Sequence, residues 1–389
     1  MRVNLQHVVG GFIVSAILAL IIGVTDSKAA DWPRYRGPNF DGRSPERIGK
    51  WPPREIWRAN VGQGYSCVVV SEGRVYTAGW QSSSNRDVVY CFSETATGTN
   101  PTPLWTASYS CGAAPGGSTY EGTRATPTVD GNEVYTFSHE GRLAKYDKTN
   151  GGLQWSTNLT SGGKPGWGYG SSPLVEGSLV IVNKGLKGTF VNKSTGAVVW
   201  GNDGNTAGYS SPVPYTWGTE RGVAIFSGGT CYGVNPTNYA TLWQIALWQG
   251  ISDPIISNGK LWVSCGYDGN GGCKVVNLGT GTLAVDAAGE WQSLGTGGIM
   301  RNKENCAILY GEHVYGTSES GGNLRCVQFS ASNLVWQSGS SGVSYGTESA
   351  VMLGDHQLVI MNGTEGSTAD GDLVVVNAGS YENVPHADW

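Results

Sequence analysis

The feature that most constrains this fold is a set of tryptophans spaced 43 to 50 residues apart. Four short strands and their turns need about that length. Most intervals also hold a small or polar pair before an apolar stretch, then glycine turns and a Gly-x-x-x-Trp ending. Such a repeat indicates stacked supersecondary units of one kind. The spaced tryptophans are Trp57, Trp105, Trp155, Trp200, Trp243, Trp291 and Trp336.

The second unit shows the repeat most clearly. It opens at Thr126-Pro127 and ends at Gly151-Gly152-Leu153-Gln154-Trp155. In the fifth unit the phase breaks, and we interpret Trp291 as part of an insertion rather than of the repeat. We assign a structural role between neighbouring units to the other spaced tryptophans: Trp57, Trp105, Trp155, Trp200, Trp243 and Trp336. The units open at Cys67, Thr126, Ser172, Ser211, Asp253, Cys306 and Ser349.

A polar residue recurs eight positions before the terminal tryptophan. Asp and Asn hydrogen-bond the backbone in turns, so we predict that these residues bind backbone groups at a strand end. They are Asp147, Asn192, Asn235 and Gln328.

Each unit predicts a four-stranded antiparallel meander that cannot bury both faces alone. Neighbouring sheets packed face to face bury them, and a closed ring removes the exposed ends. The 60 glycines and the low charged content of 14% fit many short strands with tight turns. We therefore predict an all-β propeller of about seven blades, closed by an N-terminal strand that includes Trp57. Trp389 leaves an eight-bladed alternative open.

The N-terminus predicts export. Arg2 precedes an apolar run at residues 8–24, and Ser27-Lys28-Ala29 fits a cleavage site. The run is shorter than the roughly 20 residues of a membrane span, although an uncleaved anchor remains the alternative. We predict a signal peptide at residues 1–29, an extension at 30–53 and one propeller domain at 54–389. We expect no later membrane span.

Eight cysteines are spread along the chain. Because an exported protein meets an oxidising compartment, disulfides are expected, but sequence does not give their connectivity. Cys265 and Cys273 flank a glycine-rich hairpin tip, and we predict a disulfide between them. No cysteine and histidine spacing indicates a metal site, and His139, His313 and His356 fall in different units and receive no role.

The repeat resembles the PQQ-binding-like β-propeller family. Its core stands as Asp147, Gly151 and Trp155, and the segment from Asp31-Trp32-Pro33 to Gly42 resembles an opening common in exported members. The family includes quinoprotein alcohol dehydrogenases and an outer-membrane assembly scaffold lipoprotein. The resemblance implies pyrroloquinoline quinone (PQQ) with calcium as candidate cofactors. Since this chain lacks the adjacent cysteine pair of those dehydrogenases and is shorter, we expect no cofactor.

Loops before the first strand of each unit converge on one funnel if the blades form a ring. Aromatic rings and opposite charges meeting there are typical of a ligand site. The packing alternative is that they fill a narrow channel. The candidate ligand-binding residues are Tyr65, Glu121, Arg124, Tyr169, Tyr209, Asp253, Arg301 and Glu348.

No catalytic constellation is recognised, and a net charge of −5 without a basic run argues against nucleic acid. We therefore expect an exported monomeric scaffold that binds a small molecule or a protein at the propeller face. The alternatives are a quinone-dependent oxidoreductase and a carbohydrate-active enzyme that uses the funnel acids.

Overall fold

The computed structural model describes residues 30–115, 120–246, 250–266, 271–278, 285–318, 322–338, 350–362, 372–379 and 382–387. These ranges form seven four-stranded antiparallel sheets and one two-stranded sheet. No helix in these ranges is long and apolar enough to cross a membrane. The seven-bladed all-β architecture predicted from the tryptophan spacing is confirmed.

Each blade is one continuous stretch of chain. Blade 1 consists of β2 Val69–Ser71, β3 Arg74–Gln81, β4 Arg86–Ser93 and β6 Trp105–Ser110. Blade 2 consists of β7 Thr128–Asp130, β8 Glu133–Phe137, β9 Arg142–Asp147 and β10 Leu153–Asn158. Blade 3 consists of β11 Leu174–Glu176, β12 Leu179–Val182, β13 Thr189–Asn192 and β14 Val198–Gly201. Blade 4 consists of β15 Val213–Trp217, β16 Glu220–Ser227, β17 Thr230–Val234 and β18 Thr241–Ala246.

The remaining blades follow the same order. Blade 5 consists of β19 Ile255–Ser257, β20 Lys260–Cys265, β21 Gly272–Leu278 and β22 Val285–Leu294. Blade 6 consists of β23 Ile308–Tyr310, β24 His313–Ser318, β25 Asn323–Gln328 and β26 Leu334–Gln337. Blade 7 consists of β27 Ala350–Met352, β28 Gln357–Asn362, β29 Asp372–Asn377 and β30 Glu382–Ala387. The first strand of each blade is an edge strand, and several first strands contact their counterparts in neighbouring blades, as β7 contacts β2 and β11.

The hydrophobic core is divided among the junctions between blades. Six clusters of buried side chains each join two consecutive blades, from blades 1 and 2 to blades 6 and 7. The cluster between blades 1 and 2, for example, contains Val89, Trp105 and Val134, all less than a tenth exposed. Stacking of sheets therefore buries the apolar faces that a single meander would expose.

The spaced tryptophans connect one blade to the next. The indole N–H of Trp105 donates to the carbonyl of Lys148 at 2.9 Å, and that of Trp155 donates to Lys193 at 3.0 Å. Each acceptor lies just beyond the third strand of the following blade. Trp291 donates to Phe329 in the same way, at 3.0 Å, so its interpretation as an insertion is wrong. The phase breaks because β22 is ten residues long and shifts register against β21.

The glycine of the Gly-x-x-x-Trp ending makes room for the previous blade's indole. Gly151 has a φ of +73°, and a Cβ there would lie 2.5 Å from the ring of Trp105. In the fourth unit Tyr239 takes this position with a φ of 62° and stacks on Trp200 at 5.5 Å between centroids. The indole of the previous blade therefore contacts this position in each of these junctions, whether a glycine backbone or an aromatic ring lies there.

The polar residues before the terminal tryptophans hold turns as predicted. Asp147 Oδ1 accepts the N–H groups of Thr149 and Asn150, and Asn192 and Asn235 bind their own turns in the same way. Gln328 differs, because its longer side chain donates to the Ser330 hydroxyl instead.

Closure of the ring differs from the prediction of an N-terminal strand in the last blade. Blade 7 has its own fourth strand, β30, while β1 (Trp57–Arg58) pairs in parallel with β5 (Gly98–Thr99) beside blade 1. Trp57 nevertheless packs on Phe92 and donates to the Glu94 carbonyl at 3.4 Å. Its ring thus makes the contact with blade 1 that other tryptophans make with the blade after their own.

The predicted disulfide between Cys265 and Cys273 is corrected by the structure, where both cysteines are buried and neither forms a disulfide. In the β20–β21 ladder Cys265 lies opposite Gly272, and Cys273 lies opposite Ser264. Because neighbouring positions on a strand face opposite sides of a sheet, the two thiols point away from each other. Cys273 instead packs into the cluster between blades 5 and 6.

Candidate functional site

The centre of the ring is occupied by the chain's own N-terminal arm, which we define as residues 31–46. The arm pairs with first-strand edges: Trp32 exchanges two hydrogen bonds with Val70 of blade 1, and Val129 of blade 2 donates to Pro33 at 2.7 Å. It then turns back, and Met352 of blade 7 donates to Gly42 at 2.9 Å. The arm therefore satisfies backbone groups that the blades leave unpaired along the axis.

Arg36, which is only 7% exposed, anchors the turn of the arm. Its guanidinium donates to the Ala307 carbonyl of blade 6 at 2.8 Å and to the Phe40 carbonyl at 3.2 Å. The Tyr35 hydroxyl lies 3.4 Å from Cys306 Sγ. One short segment thus joins blades at the beginning of the chain to blades near its end.

Just before the first strands, the residues that open the units form a chain of hydrogen bonds from blade to blade. Each backbone N–H donates to the side chain that opens the next unit, which explains why these positions carry small polar residues. The bonds are Cys67 to Thr126 at 3.0 Å, Thr126 to Ser172 at 3.0 Å, Ser172 to Ser211 at 3.0 Å, Ser211 to Asp253 at 2.7 Å and Asp253 to Cys306 at 3.1 Å.

Asp253 is the charged member of this chain of bonds. Burial raises the pKa of its carboxyl to about 6, although the nearby Arg36 charge and the Ser211 N–H oppose the shift. Burial also raises the pKa of the Cys306 thiol and holds that of the Tyr35 hydroxyl well above its usual range. Asp253 therefore links blades 4 and 5 and lies near Arg36 of the arm. This agrees with the alternative that the candidate residues fill a narrow channel rather than bind a ligand.

Loops that precede the first strands of blades 1 to 4 bring together a partly exposed aromatic group, which we call the aromatic rim: Tyr65, Tyr120, Trp167 and Tyr209 around Arg124. The Arg124 guanidinium lies 5.6 Å from the Tyr65 ring centroid and donates to the Trp167, Tyr120 and Pro115 carbonyls. The Tyr120 ring packs edge-on against the Trp167 ring, with 5.6 Å between centroids, and the backbone N–H of Trp167 donates to the Tyr209 hydroxyl. Tyr65 is 50% and Trp167 46% exposed.

Three of the eight sequence-predicted site residues meet at this rim: Tyr65, Arg124 and Tyr209. Glu121 lies beside them on the same loop and is partly buried. Tyr120 and Trp167 were not among the predicted site residues, although Tyr120 directly precedes Glu121 in the sequence. Trp167 breaks the repeat spacing, and that irregularity is the signal that could have identified it.

The other predicted site residues are dispersed. Tyr169 is buried against Phe137 at 5.2 Å, with its hydroxyl donating to Gly162. Arg301 is buried and donates to the Gly295 and Gly266 carbonyls. Glu348 lies outside the described residues. The predicted single axial funnel is therefore corrected, because the arm holds the axis and the exposed candidates lie to one side.

The architecture defines this protein as a seven-bladed β-propeller with a self-filled channel. A family model described as "Outer membrane protein assembly factor BamB" matches residues 53–203 and 85–338. The chain belongs to this family of PQQ-like propellers. A comparison with curated proteins finds no match.

Solved structures similar to the chain share its fold at low identity. BamB from Moraxella catarrhalis is 14% identical, with a TM-score of 0.58 over 83% of this chain and 84% of that one. Quinohemoprotein alcohol dehydrogenase from Comamonas testosteroni is 13% identical, with a TM-score of 0.61 over 93% and 74%. The computationally designed Ika8 protein is 10% identical, with a TM-score of 0.55 over 86% and 90%.

The described residues do not fit a quinone with calcium on the axis. Tyr35 and Arg36 lie there, and the nearby acid, Asp253, already accepts the Ser211 N–H. The sulfurs near the axis, such as Cys306, are not adjacent in sequence to a second cysteine. A calcium site needs six to eight oxygen ligands, and this buried surrounding offers a guanidinium and thiols instead.

Proposed function

We propose that this protein is an exported binding propeller that holds an extended segment of a partner protein on its aromatic rim. The observation that carries the proposal is the exposure of Tyr65 and Trp167 on loops that Arg124 holds together. Large exposed aromatic side chains on a fixed backbone are typical of contact surfaces. The arm fills the axis, so the ligand surface that we propose is the rim, where the predicted residues Tyr65, Arg124 and Tyr209 meet.

The composition of the rim favours a polypeptide partner. Tryptophan, tyrosine and arginine dominate the residues that contribute most to protein interfaces. Tyrosine and tryptophan also lose little side-chain entropy on binding, since each has only two rotatable side-chain bonds. Hydrogen bonds from Arg124 to three carbonyls order the loops before a partner arrives, which lowers the entropic cost of association.

The family description supports a partner involved in outer-membrane protein assembly, and the predicted signal peptide at residues 1–29 supports export. Strands of outer-membrane proteins are segments of about ten residues that alternate apolar and polar side chains, with aromatic residues near the membrane surfaces. The aromatic side chains of such an unfolded strand can pack against the aromatic rim, and its backbone groups can hydrogen-bond to the loops of the rim. We therefore propose such segments as the occupant.

Fluorescence anisotropy with a labelled synthetic peptide tests this proposal. The probe has about ten residues that alternate tyrosine or phenylalanine with serine or threonine, and its control replaces every aromatic residue with serine. We expect binding of the aromatic peptide alone, with at least about a tenfold loss in Tyr65→Ala or Trp167→Ala. Leu153→Ala is the matched control, because Leu153 is 54% exposed on the outer strand of blade 2.

Two results would contradict the proposal. One is equal affinity of wild type and Trp167→Ala for the aromatic peptide. The other is stoichiometric retention of PQQ after incubation with calcium and desalting, which would favour the quinone-dependent oxidoreductase instead.

A further inference from the structure

Three side chains that can ligate a metal meet inside the junction of blades 1 and 2. Asp87 lies at the start of β4, Cys111 follows β6, and His139 follows β8. One ligand atom from each lies within 4.8 Å of the others, and Cys111 Sγ is 3.6 Å from His139 Nδ1. Each residue is at most 1% exposed. This is a mixed oxygen, sulfur and nitrogen donor set on neighbouring blades.

The spacing of these atoms suits a four-coordinate cation. Zinc bonds of about 2.0 to 2.3 Å in a tetrahedron place ligand atoms about 3.3 to 3.8 Å apart. The sulfur and nitrogen already have this separation, so a modest inward movement of the Asp87 carboxylate would complete a three-ligand site. Calcium and magnesium prefer oxygen ligands, whereas thiolate and imidazole ligands favour zinc and similar ions.

The surroundings hold the three ligands in place. The Asp87 carboxylate accepts the Tyr109 hydroxyl at 2.9 Å and the Thr123 hydroxyl at 2.7 Å. The backbone beside the other two is also fixed: Trp80 donates its indole N–H to the Cys111 carbonyl, and the Tyr169 N–H donates to the His139 carbonyl. Orientation of first ligands by outer hydrogen bonds is a regular feature of metal sites.

A fourth ligand position can face solvent. Glu140 follows His139, is exposed, and accepts the N–H of Gly112 at 3.3 Å, directly beside Cys111. Its carboxylate or a water molecule can therefore reach an ion held by the other three. We propose that Asp87, Cys111 and His139 bind one zinc-like divalent cation, with the fourth position open towards Glu140.

Cobalt substitution and zinc titration of the full chain test the site. After chelator treatment and desalting, we expect one equivalent of Co²⁺ to bind, with a sulfur-to-metal charge-transfer band and the visible bands of tetrahedral cobalt. Zn²⁺ should displace cobalt and raise the melting temperature, because it binds the folded state. Cys111→Ala and His139→Ala should each lose the band. Cys91→Ala is the matched control, since Cys91 is an equally buried thiol on β4.

Milder variants keep the test informative if a ligand variant does not fold. Tyr109→Phe and Thr123→Val remove only hydroxyls that orient Asp87, and we expect each to weaken zinc binding by about 10- to 100-fold. The proposal is overturned if wild type binds no stoichiometric metal, if cobalt binds without the thiolate band, or if affinity is unchanged in both hydroxyl variants. Peptide binding at the aromatic rim is measured separately, so either idea can fail alone.

Discussion

Replacement of one glycine by alanine measures how strongly the indoles join the blades. At Gly151 the new Cβ would lie 2.5 Å from Cε3 and 2.8 Å from Cδ2 of Trp105. The indole ring cannot easily move away, because its N–H donates to the Lys148 carbonyl and Trp105 is only 7% exposed. We therefore expect Gly151→Ala to destabilise the protein through both its backbone conformation and this overlap.

The two contributions can be separated with a control glycine. Gly177 has a φ of +57° and no atom within 4 Å of the position of a Cβ. Alanine there meets only the left-handed backbone penalty of about 1 kcal/mol. Overlap with a packed ring adds about 2 kcal/mol, so Gly151→Ala should lower the free energy of unfolding by about 3 kcal/mol.

Equilibrium urea unfolding followed by far-ultraviolet circular dichroism gives both values. In a Trp105→Leu background the ring is absent, and Gly151→Ala should then cost about 1 kcal/mol, like Gly177→Ala. If Gly151→Ala costs no more than Gly177→Ala, or costs the same with and without Trp105, the indole is not the partner of this glycine and the reasoning is refuted.

Three further predictions concern the axis and the junctions. The fold raises the pKa of Asp253 from 3.8 to about 6 and so favours its protonated form, which makes stability fall by about 3 kcal/mol as pH rises from about 4 to 6. Asp253→Asn should remove this slope in urea titrations while the surface control Glu312→Gln keeps it. Arg36→Leu should lower the unfolding free energy at pH 7 by about 3 kcal/mol, because it leaves the Asp253 carboxylate without its cation; an unchanged midpoint would contradict this. Trp155→Phe should cost about 1 to 2 kcal/mol more than Trp200→Phe in the same assay, since in the described residues the Trp155 indole N–H donates to the next blade and that of Trp200 does not; equal costs would argue against that bond.

The repeat could be predicted because its signals are local. Asp147 and the glycine four residues later form one turn, and the terminal tryptophan follows at a constant distance, so spacing alone shows the blade. The same logic failed at Trp291, because a longer strand with a register shift displaces the tryptophan in sequence but not in space. Periodicity reports chain length between features, not their positions in the fold.

The axis and the buried metal-type cluster could not be predicted in this way. Tyr35 and Arg36 find partners in Ala307 and Cys306, some 270 residues away, and no local pattern encodes that pairing. His139 meets Cys111 only because two blades pack together, so its place in the sequence carried no sign of a ligand. The aromatic rim was predicted in part, since Tyr65 and Tyr209 both lie in loops that precede the first strand of a unit.

The position of the arm has a consequence for biogenesis. Residues 36–44 are synthesised more than 250 residues before their partners on blades 6 and 7. The contacts of Trp32 and Pro33 with blades 1 and 2 can form early, but those of Arg36, Gly42 and Ser44 cannot form until blades 6 and 7 exist, so docking of this part of the arm is a late step of maturation.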